Sequence, residues 1–122
     1  MNKILIVDDD PSVRTLVSKF LAAKGYEVVA AENGAVGIEQ AKASSPDLIL
    51  MDLNMPEMDG FKATQHLKGD PDTKDVPVLV LSAESETSSR DAVYEAGCDG
   101  FVKKPIDFAR LVPRIEEMLG GG

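Results

Sequence analysis

Four apolar segments of the chain each end in a polar side chain that could bind a cation or react with phosphate. In chain order these side chains are Asp8 with Asp9, Asp52, Ser82 and Lys104. Carboxylates about 4 Å apart repel one another by about 4 kcal/mol per pair at an effective dielectric constant near 20. If these segments are neighbours in space, the three carboxylates require neutralisation, either by protonation or by a bound divalent cation.

The chemistry of these side chains favours a hard cation, because the donors are all oxygen atoms and no histidine or cysteine lies near them in sequence. Mg²⁺ is the first candidate and Ca²⁺ the second, since Mg²⁺ is commonly held by one or two carboxylates together with a substrate phosphate. Asp8 and Asp9 are the predicted metal ligands. Lys104 would place a compensating positive charge beside Asp52.

Asp52 is the candidate phosphoacceptor. A carboxylate oxygen can attack a phosphoryl group that is held in line with it, and the protein then contributes mainly positioning and charge neutralisation. In this scheme the Ser82 hydroxyl donates a hydrogen bond to a phosphoryl oxygen, and the Lys104 ammonium group balances the added charge. The product would be an aspartyl phosphate.

Five short apolar segments are predicted to be strands that are buried on both faces, which favours parallel pairing. They are residues 4–7, 28–31, 48–51, 78–81 and 100–102. Helical segments alternate with them, and right-handed crossovers then place helices on both faces of one sheet. We predict an α/β fold, a flavodoxin-like doubly wound parallel sheet of order 2-1-3-4-5 in a three-layer α/β/α sandwich. Periodicity alone does not select this strand order.

The helical segments differ in how clearly they are marked. The clearest has one predicted buried stripe made of Val13, Leu16, Val17, Phe20 and Leu21. Further helices are predicted at about 34–44, 59–68 and 87–96, and a closing helix carries an apolar face that includes Phe108 and Leu111. Pro113 lies inside that face, where it predicts a kink or a late helix start. Ligands of such sheets bind beyond the carboxyl ends of the strands, where the polar side chains lie.

Composition excludes several classes of protein. The chain has 122 residues and fits one domain, residues 1–122, with residues 120–122 as a glycine tail. A formal charge of -8 disfavours direct nucleic-acid binding, which normally needs a basic patch. No apolar stretch approaches the roughly 20 residues of a membrane span. A single cysteine, Cys98, excludes an internal disulfide, and we expect a cytoplasmic protein.

Over its whole length the chain resembles the receiver domains of two-component response regulators, and four segments in order carry the resemblance. "ILIVDDDPSVR" is similar to the opening strand of that family with its paired acids, and "LILMDLNMPEMDG" to its phosphoacceptor strand and loop. "VPVLVLSAE" resembles its Ser/Thr strand, and "GCDGFVKKPI" its Lys-Pro strand. A single Asp-Asp pair would be weak evidence, whereas four motifs at the family spacing are specific.

The resemblance implies further roles at the site. The backbone carbonyl of Asn54 would join Asp8, Asp9 and Asp52 as a metal ligand, and the Lys104-Pro105 peptide bond would be cis. Asn54 and Glu84 occupy the two positions that tune how fast water removes the phosphoryl group in such proteins.

The resemblance also implies a switch and its partners. A histidine kinase or histidine phosphotransferase would supply the phosphoryl group. Ser82 would then move toward it and Phe101 would rotate inward. This population shift would change a face formed by the helix at 87–96, the fifth strand and the closing helix, where a downstream protein target binds. The same analogy implies self-phosphorylation from small donors and autodephosphorylation, but not an enzyme that acts on a separate substrate.

Two other functions remain open on the sequence. A Mg²⁺-dependent phosphatase with an aspartate nucleophile would use the Asp-x-Asp pattern of Asp8 and Asp10, but Ser12 departs from that family's pattern and Asp52 would have no role. The second alternative is a receiver-like docking module that is never phosphorylated.

Several other residues are interpreted as structural. Asp10 before Pro11 is a predicted helix cap, and Gly25 a predicted helix exit. Cys98 is expected to be a small buried residue, and His66 an exposed or boundary residue without metal partners.

Overall fold

A computed structural model describes residues 2–52, 60–82, 94, 97–103 and 107–119, with the backbone alone described for residues 60, 61, 82 and 103. Five parallel strands form one sheet in the order β2-β1-β3-β4-β5, which confirms the predicted order. The strands are β1 (Lys3–Val7), β2 (Glu27–Ala31), β3 (Leu48–Asp52), β4 (Val78–Ser82) and β5 (Gly100–Lys103).

Helices cover both faces of the sheet. Four are described: α1 (Pro11–Ala23), α2 (Gly34–Ser44), α3 (Gly60–Gly69) and α4 (Phe108–Met118). Side chains of α1 and α4 pack on one face, and those of α2 and α3 on the other. The doubly wound, three-layer α/β/α prediction is confirmed. Tyr94 is helical, and the rest of the helix predicted at 87–96 lies outside the described residues.

Successive side chains of β1 point to opposite faces of the sheet, and both faces are buried. Leu5 and Val7 contribute to the cluster under α2 and α3, whereas Ile4 and Ile6 contribute to the cluster under α1 and α4. All residues of β3 are buried. β2 is different, because it is an edge strand with burial on only part of its length. The prediction of burial on both faces therefore holds for the central strands and not for β2.

The start and end of α1 follow the predicted signals. The Asp10 side chain accepts a hydrogen bond from the backbone N–H of Ser12 at 2.8 Å, and Pro11 is the first helical residue. Gly25 follows the helix with φ of +97°, a conformation that glycine adopts without strain. These capping predictions are confirmed.

The predicted buried stripe of α1 is wrong at one position. Val17 and Leu21 are fully buried, whereas Leu16 is 57% exposed. Successive helical residues point about 100° apart, so a helix that directs Val17 at the sheet turns Leu16 away from it. The burial face is narrower than the five apolar residues suggested.

Helix α4 runs through its proline. It begins at Phe108 after the cap Asp107, whose side chain accepts from the backbone N–H of Ala109 at 3.0 Å. The alternative of a late start after Pro113 is therefore wrong, and the proline lies on the exposed side of the helix. The Phe108 ring stacks on that of Phe20 with centroids 4.0 Å apart, which joins α4 to α1. In the described part of the chain, no helix has both the length and the apolarity needed to span a bilayer.

Candidate functional site

Two aspartates lie side by side at the carboxyl edge of the sheet. β1 and β3 are hydrogen-bonded neighbours in which Val7 pairs with Met51, so the next residues along the two strands are Asp8 and Asp52. Asp8 is 0% exposed and Asp52 is 3% exposed. Parallel pairing in register thus converts two acids that are 44 positions apart into adjacent, buried carboxyl groups.

Asp9 completes an acidic cluster with these two residues. One carboxylate oxygen from each of Asp8, Asp9 and Asp52 lies within 4.8 Å of those of the other two, and Asp9 is exposed. Unit charges 4.8 Å apart repel by about 3.5 kcal/mol at an effective dielectric constant near 20. Oxygen ligands about 2.1 Å from an octahedral Mg²⁺ are about 3 to 4 Å apart, so a small contraction of the cluster would suit that ion. The donor set therefore fits a hard divalent cation.

The main chain around Asp8 is held at several atoms. Its backbone N–H donates to the carbonyl of Ala31 at 3.1 Å, which continues the pairing of β1 with β2 by one residue. Its Oδ1 accepts from the backbone N–H of Asp10 at 2.9 Å. The turn from β1 to α1 is thus closed by the side chain of the candidate ligand itself.

Arg14 supplies a contact that the sequence analysis missed. Its Nη1 donates to the main-chain carbonyl oxygen of Asp8 at 2.7 Å, and the hydrogen bond is partly buried. The signal in the sequence is a basic residue one helical turn after the cap Asp10. That signal does not say which acceptor the side chain reaches.

The remaining predicted site residues are placed only in part. Ser82 ends β4 and pairs with Lys103 of β5, so the backbone brings both to the same edge of the sheet as Asp52. The Ser82 side chain lies outside the described residues. So do Asn54, Glu84, Lys104 and Pro105, together with the predicted cis bond.

Phe101 lies in β5 opposite Val80 and is half-buried. It packs against the cluster under α2 and α3 rather than the one under α1 and α4. In the sequence, Phe101 comes shortly after the helix predicted at 87–96. The switching role of Phe101 stays a prediction.

Two residues interpreted as structural are where the sequence placed them. Cys98 is 7% exposed, and burial raises the pKa of its thiol to about 11. His66 is exposed on α3. Among the described residues, the acidic cluster of Asp8, Asp9 and Asp52 is the one group of three or more such side chains close enough to hold a metal ion.

The chain belongs to the response regulator receiver domain family, whose model matches residues 4–116. It is 39% identical over 119 residues to the DNA-binding dual master transcriptional regulator RpaA of Synechocystis sp., covering 98% of this chain and 49% of that protein. It is 34% identical over 121 residues to protein PilH of Pseudomonas aeruginosa, covering 99% of this chain and all of that one. The chain thus spans about half the length of RpaA and the full length of PilH.

Solved structures agree with this assignment. The chemotaxis protein CheY4 of Vibrio cholerae superposes with a TM-score of 0.92 at 31% identity, covering 97% of this chain and 98% of that one. The receiver domain of the sensor histidine kinase PA1611 of Pseudomonas aeruginosa superposes with a TM-score of 0.90 at 28% identity, and 98% of each chain is covered. That neighbour holds a magnesium ion in its active-site cleft.

Proposed function

We propose that this chain accepts a phosphoryl group on Asp52, in a reaction that depends on Mg²⁺ and switches a docking surface. The observation that carries the proposal is the burial of Asp52, 3% exposed, beside Asp8 and Asp9 at the carboxyl edge of the sheet. A carboxylate kept there without a binding or chemical role would add repulsion and desolvation cost to the folded state.

The phosphoryl transfer would proceed by direct attack of Asp52. One of its carboxylate oxygens forms a bond to phosphorus as the bond from phosphorus to the donor breaks, and the donor leaves with the electron pair. For a histidine kinase or histidine phosphotransferase, the leaving atom is an imidazole nitrogen. The Ser82 hydroxyl would donate to a phosphoryl oxygen, and Lys104 would pair with the new charge.

The metal would be held by Asp8, Asp9 and Asp52 with the backbone carbonyl of Asn54. When bound, Mg²⁺ would neutralise the carboxylates and the incoming phosphoryl oxygens. The magnesium named in the PA1611 receiver structure supports this choice of ion, as does the all-oxygen donor set of this chain.

The output would be a population shift in the surface made by the 87–96 segment, β5 and α4. An added phosphoryl group carries about 1.5 to 2 negative charges at neutral pH, enough to bias two packings that differ by a few kcal/mol. Movement of Ser82 would open space for Phe101, which is a half-buried residue of β5 that packs at the margin of the cluster under α2 and α3. A downstream protein in the cytoplasm would bind the altered face.

Attack by water on the acyl phosphate would end the signal. Asn54 and Glu84 would set how readily that water reaches phosphorus. The receiver family membership favours this cycle over the phosphatase alternative, which leaves Asp52 unused. An experiment must distinguish the phosphoacceptor from the other alternative, a docking module that is never phosphorylated.

Incubation with acetyl phosphate tests the proposal. Intact mass spectrometry should detect one added phosphoryl group in the presence of Mg²⁺ and none after chelation. Asp52→Asn should abolish the labelling, whereas Asp75→Asn, the same change at an exposed carboxylate before β4, should leave it unchanged. Folded wild-type protein that stays unlabelled with Mg²⁺ would instead support the docking module.

A further inference from the structure

We propose that Arg14 is a positioning residue for the metal site, acting through the main chain of Asp8. This inference rests on the proposed function, because it concerns the affinity of the site that would hold Mg²⁺. The starting observation is the 2.7 Å hydrogen bond from Arg14 Nη1 to the carbonyl oxygen of Asp8.

The contact fixes the peptide between the two candidate ligands. The carbonyl of Asp8 belongs to the peptide unit that joins Asp8 to Asp9, so the direction of this carbonyl sets how the Asp9 side chain leaves the backbone. Asp8 is buried and its main-chain N–H bonds to the Ala31 carbonyl of β2, whereas Asp9 is exposed. Asp9 is thus the ligand whose placement depends most on the turn.

Two residues at the start of α1, Asp10 and Arg14, donate hydrogen bonds to Asp8 across the turn between β1 and α1. Asp10 caps the helix and its N–H donates to Asp8 Oδ1, while Arg14, bonded through its own N–H to the Asp10 carbonyl at 3.0 Å, reaches back with its side chain. A charged donor makes a shorter and stronger hydrogen bond than a neutral one. Arg14 therefore holds the exposed part of the turn in the arrangement that brings three carboxylates together.

The guanidinium also carries a positive charge, and this gives two opposite expectations. If its main effect is electrostatic, removing it would strengthen the binding of a divalent cation, because a like charge is lost. If its main effect is positional, removing it would weaken binding. We expect the second outcome, because the guanidinium donates its hydrogen bond to a main-chain carbonyl of the turn that carries Asp9.

The measurement is the dissociation constant for Mg²⁺ by isothermal titration calorimetry, without any phosphodonor. Arg14→Met should weaken binding by roughly 10- to 100-fold, the usual effect of losing an outer partner of a metal ligand. Arg14→Lys keeps a charged donor and should recover part of the affinity. Lys19→Met removes one exposed positive charge from the same helix and should bind like the wild type.

A second readout distinguishes a positioning role of Arg14 from a general loss of folded structure. The initial rate of labelling by acetyl phosphate should fall in Arg14→Met at low Mg²⁺ and recover most of its wild-type value at saturating Mg²⁺. Circular dichroism and urea unfolding establish that each variant is folded. If Arg14→Met does not fold, the Mg²⁺ affinities of Arg14→Lys and Lys19→Met are compared instead. Arg14→Lys should then bind Mg²⁺ more weakly than Lys19→Met, by less than the change expected for Arg14→Met.

The outcomes distinguish this inference from the function on which it rests. Wild-type protein that binds no Mg²⁺ would overturn both. Wild-type protein that binds Mg²⁺ while Arg14→Met binds equally well or more tightly would overturn the positioning role and leave the phosphoacceptor proposal intact. A rate that stays low at saturating Mg²⁺ would also contradict a role in metal affinity.

Discussion

Asp8 and Asp52 follow Val7 and Met51, which are paired residues of two parallel strands, and both carboxyl groups are buried at the edge where those strands end. The relationship arises from strand order, because β1 and β3 are neighbours although β2 lies between them in the chain. Asp8 follows β1 and Asp52 ends β3, and the apolar residues of both strands are fully buried. The positions of Asp8 and Asp52 therefore depend on how these two strands pack in the core.

Gly37 allows α2 to approach the end of β1. A Cβ atom added at Gly37 would lie 2.8 Å from Cγ2 of Val7, the residue that precedes Asp8. Overpacking of a core costs about 1 to 3 kcal/mol, and the better helix propensity of alanine returns about 1 kcal/mol. We predict that Gly37→Ala lowers the free energy of unfolding by about 1 kcal/mol, measured by urea denaturation.

Gly69 provides the matched control for this change. Gly69 is the last residue of α3, and an added Cβ there would meet no atom within 4 Å. Gly69→Ala should be neutral or stabilise by up to about 1 kcal/mol through the unfolded chain. Equal effects of the two substitutions would show that the contact with Val7 is not tight.

The two faces of α1 should respond differently to truncation. Leu21 is fully buried, and Leu21→Ala should cost about 2 to 5 kcal/mol of unfolding free energy because it leaves a cavity. Leu16 is 57% exposed, and Leu16→Ala should change stability by no more than about 0.5 kcal/mol. A large loss for Leu16→Ala would mean that the helix is rotated relative to the sheet.

Lys68 of α3 contacts the residues that precede β4 and β5. Its Nζ donates to the carbonyl of Val76 at 2.8 Å and pairs with Asp99 Oδ2 at 2.7 Å, and the same Asp99 oxygen accepts from the N–H of Val78 at 2.9 Å. The lysine is 16% exposed and the aspartate 43%, so solvent screens part of the interaction. We predict that Lys68→Met lowers the unfolding free energy by about 1 to 2 kcal/mol.

The comparison for Lys68 is a more exposed ion pair. Lys42 pairs with Asp70 at 2.8 Å with 49% of its side chain exposed. Lys42→Met should therefore destabilise the chain less than Lys68→Met in the same urea series. The reverse order would contradict the importance of the carbonyl contact to Val76.

Cys98 should be slow to react in the folded protein. Burial, the largest cause, raises the pKa of its thiol from the usual 9.0 to about 11. At pH 8 the thiolate fraction is then about a hundredfold smaller than in the unfolded chain, since each pKa unit is a factor of about ten. Alkylation by iodoacetamide should be at least that much slower in buffer than in urea.

The pH dependence of this alkylation has a definite sign. Because the folded pKa lies above the unfolded one, the native rate should rise steadily with pH from 8 to about 11, whereas the unfolded rate levels off above pH 9. A native rate at pH 8 equal to the rate in urea would show that the thiol is neither buried nor desolvated. The raised pKa also implies that ionisation of Cys98 favours the unfolded state as the pH rises through this range.

Much of the fold could be predicted from the sequence because its signals are local. Apolar runs that end in acids located β1 and β3, and Asp10, Pro11 and Gly25 marked the ends of α1. Leu16 was predicted to be buried because an apolar pattern does not reveal how much of a helix the sheet covers. That depends on the tertiary packing angle.

The site was predictable to the same extent and for a similar reason. Asp8, Asp9 and Asp52 could be identified because parallel strands deliver their carboxyl ends to one edge. Arg14 could not, because its partner is a main-chain carbonyl and carbonyls leave no signature in a sequence. The roles of Ser82, Lys104 and Asn54 remain predictions, since the Ser82 side chain and the whole of Lys104 and Asn54 lie outside the described residues.

The most direct test of the central claim is to identify the residue that carries the phosphoryl group. Protein labelled with acetyl phosphate and Mg²⁺ is treated with borohydride, which reduces an aspartyl phosphate to homoserine, and the peptides are then sequenced by mass spectrometry. Homoserine at position 52, lost in Asp52→Asn and retained in Asp75→Asn, is the predicted result. Homoserine at position 8 would contradict the account and favour the phosphatase alternative.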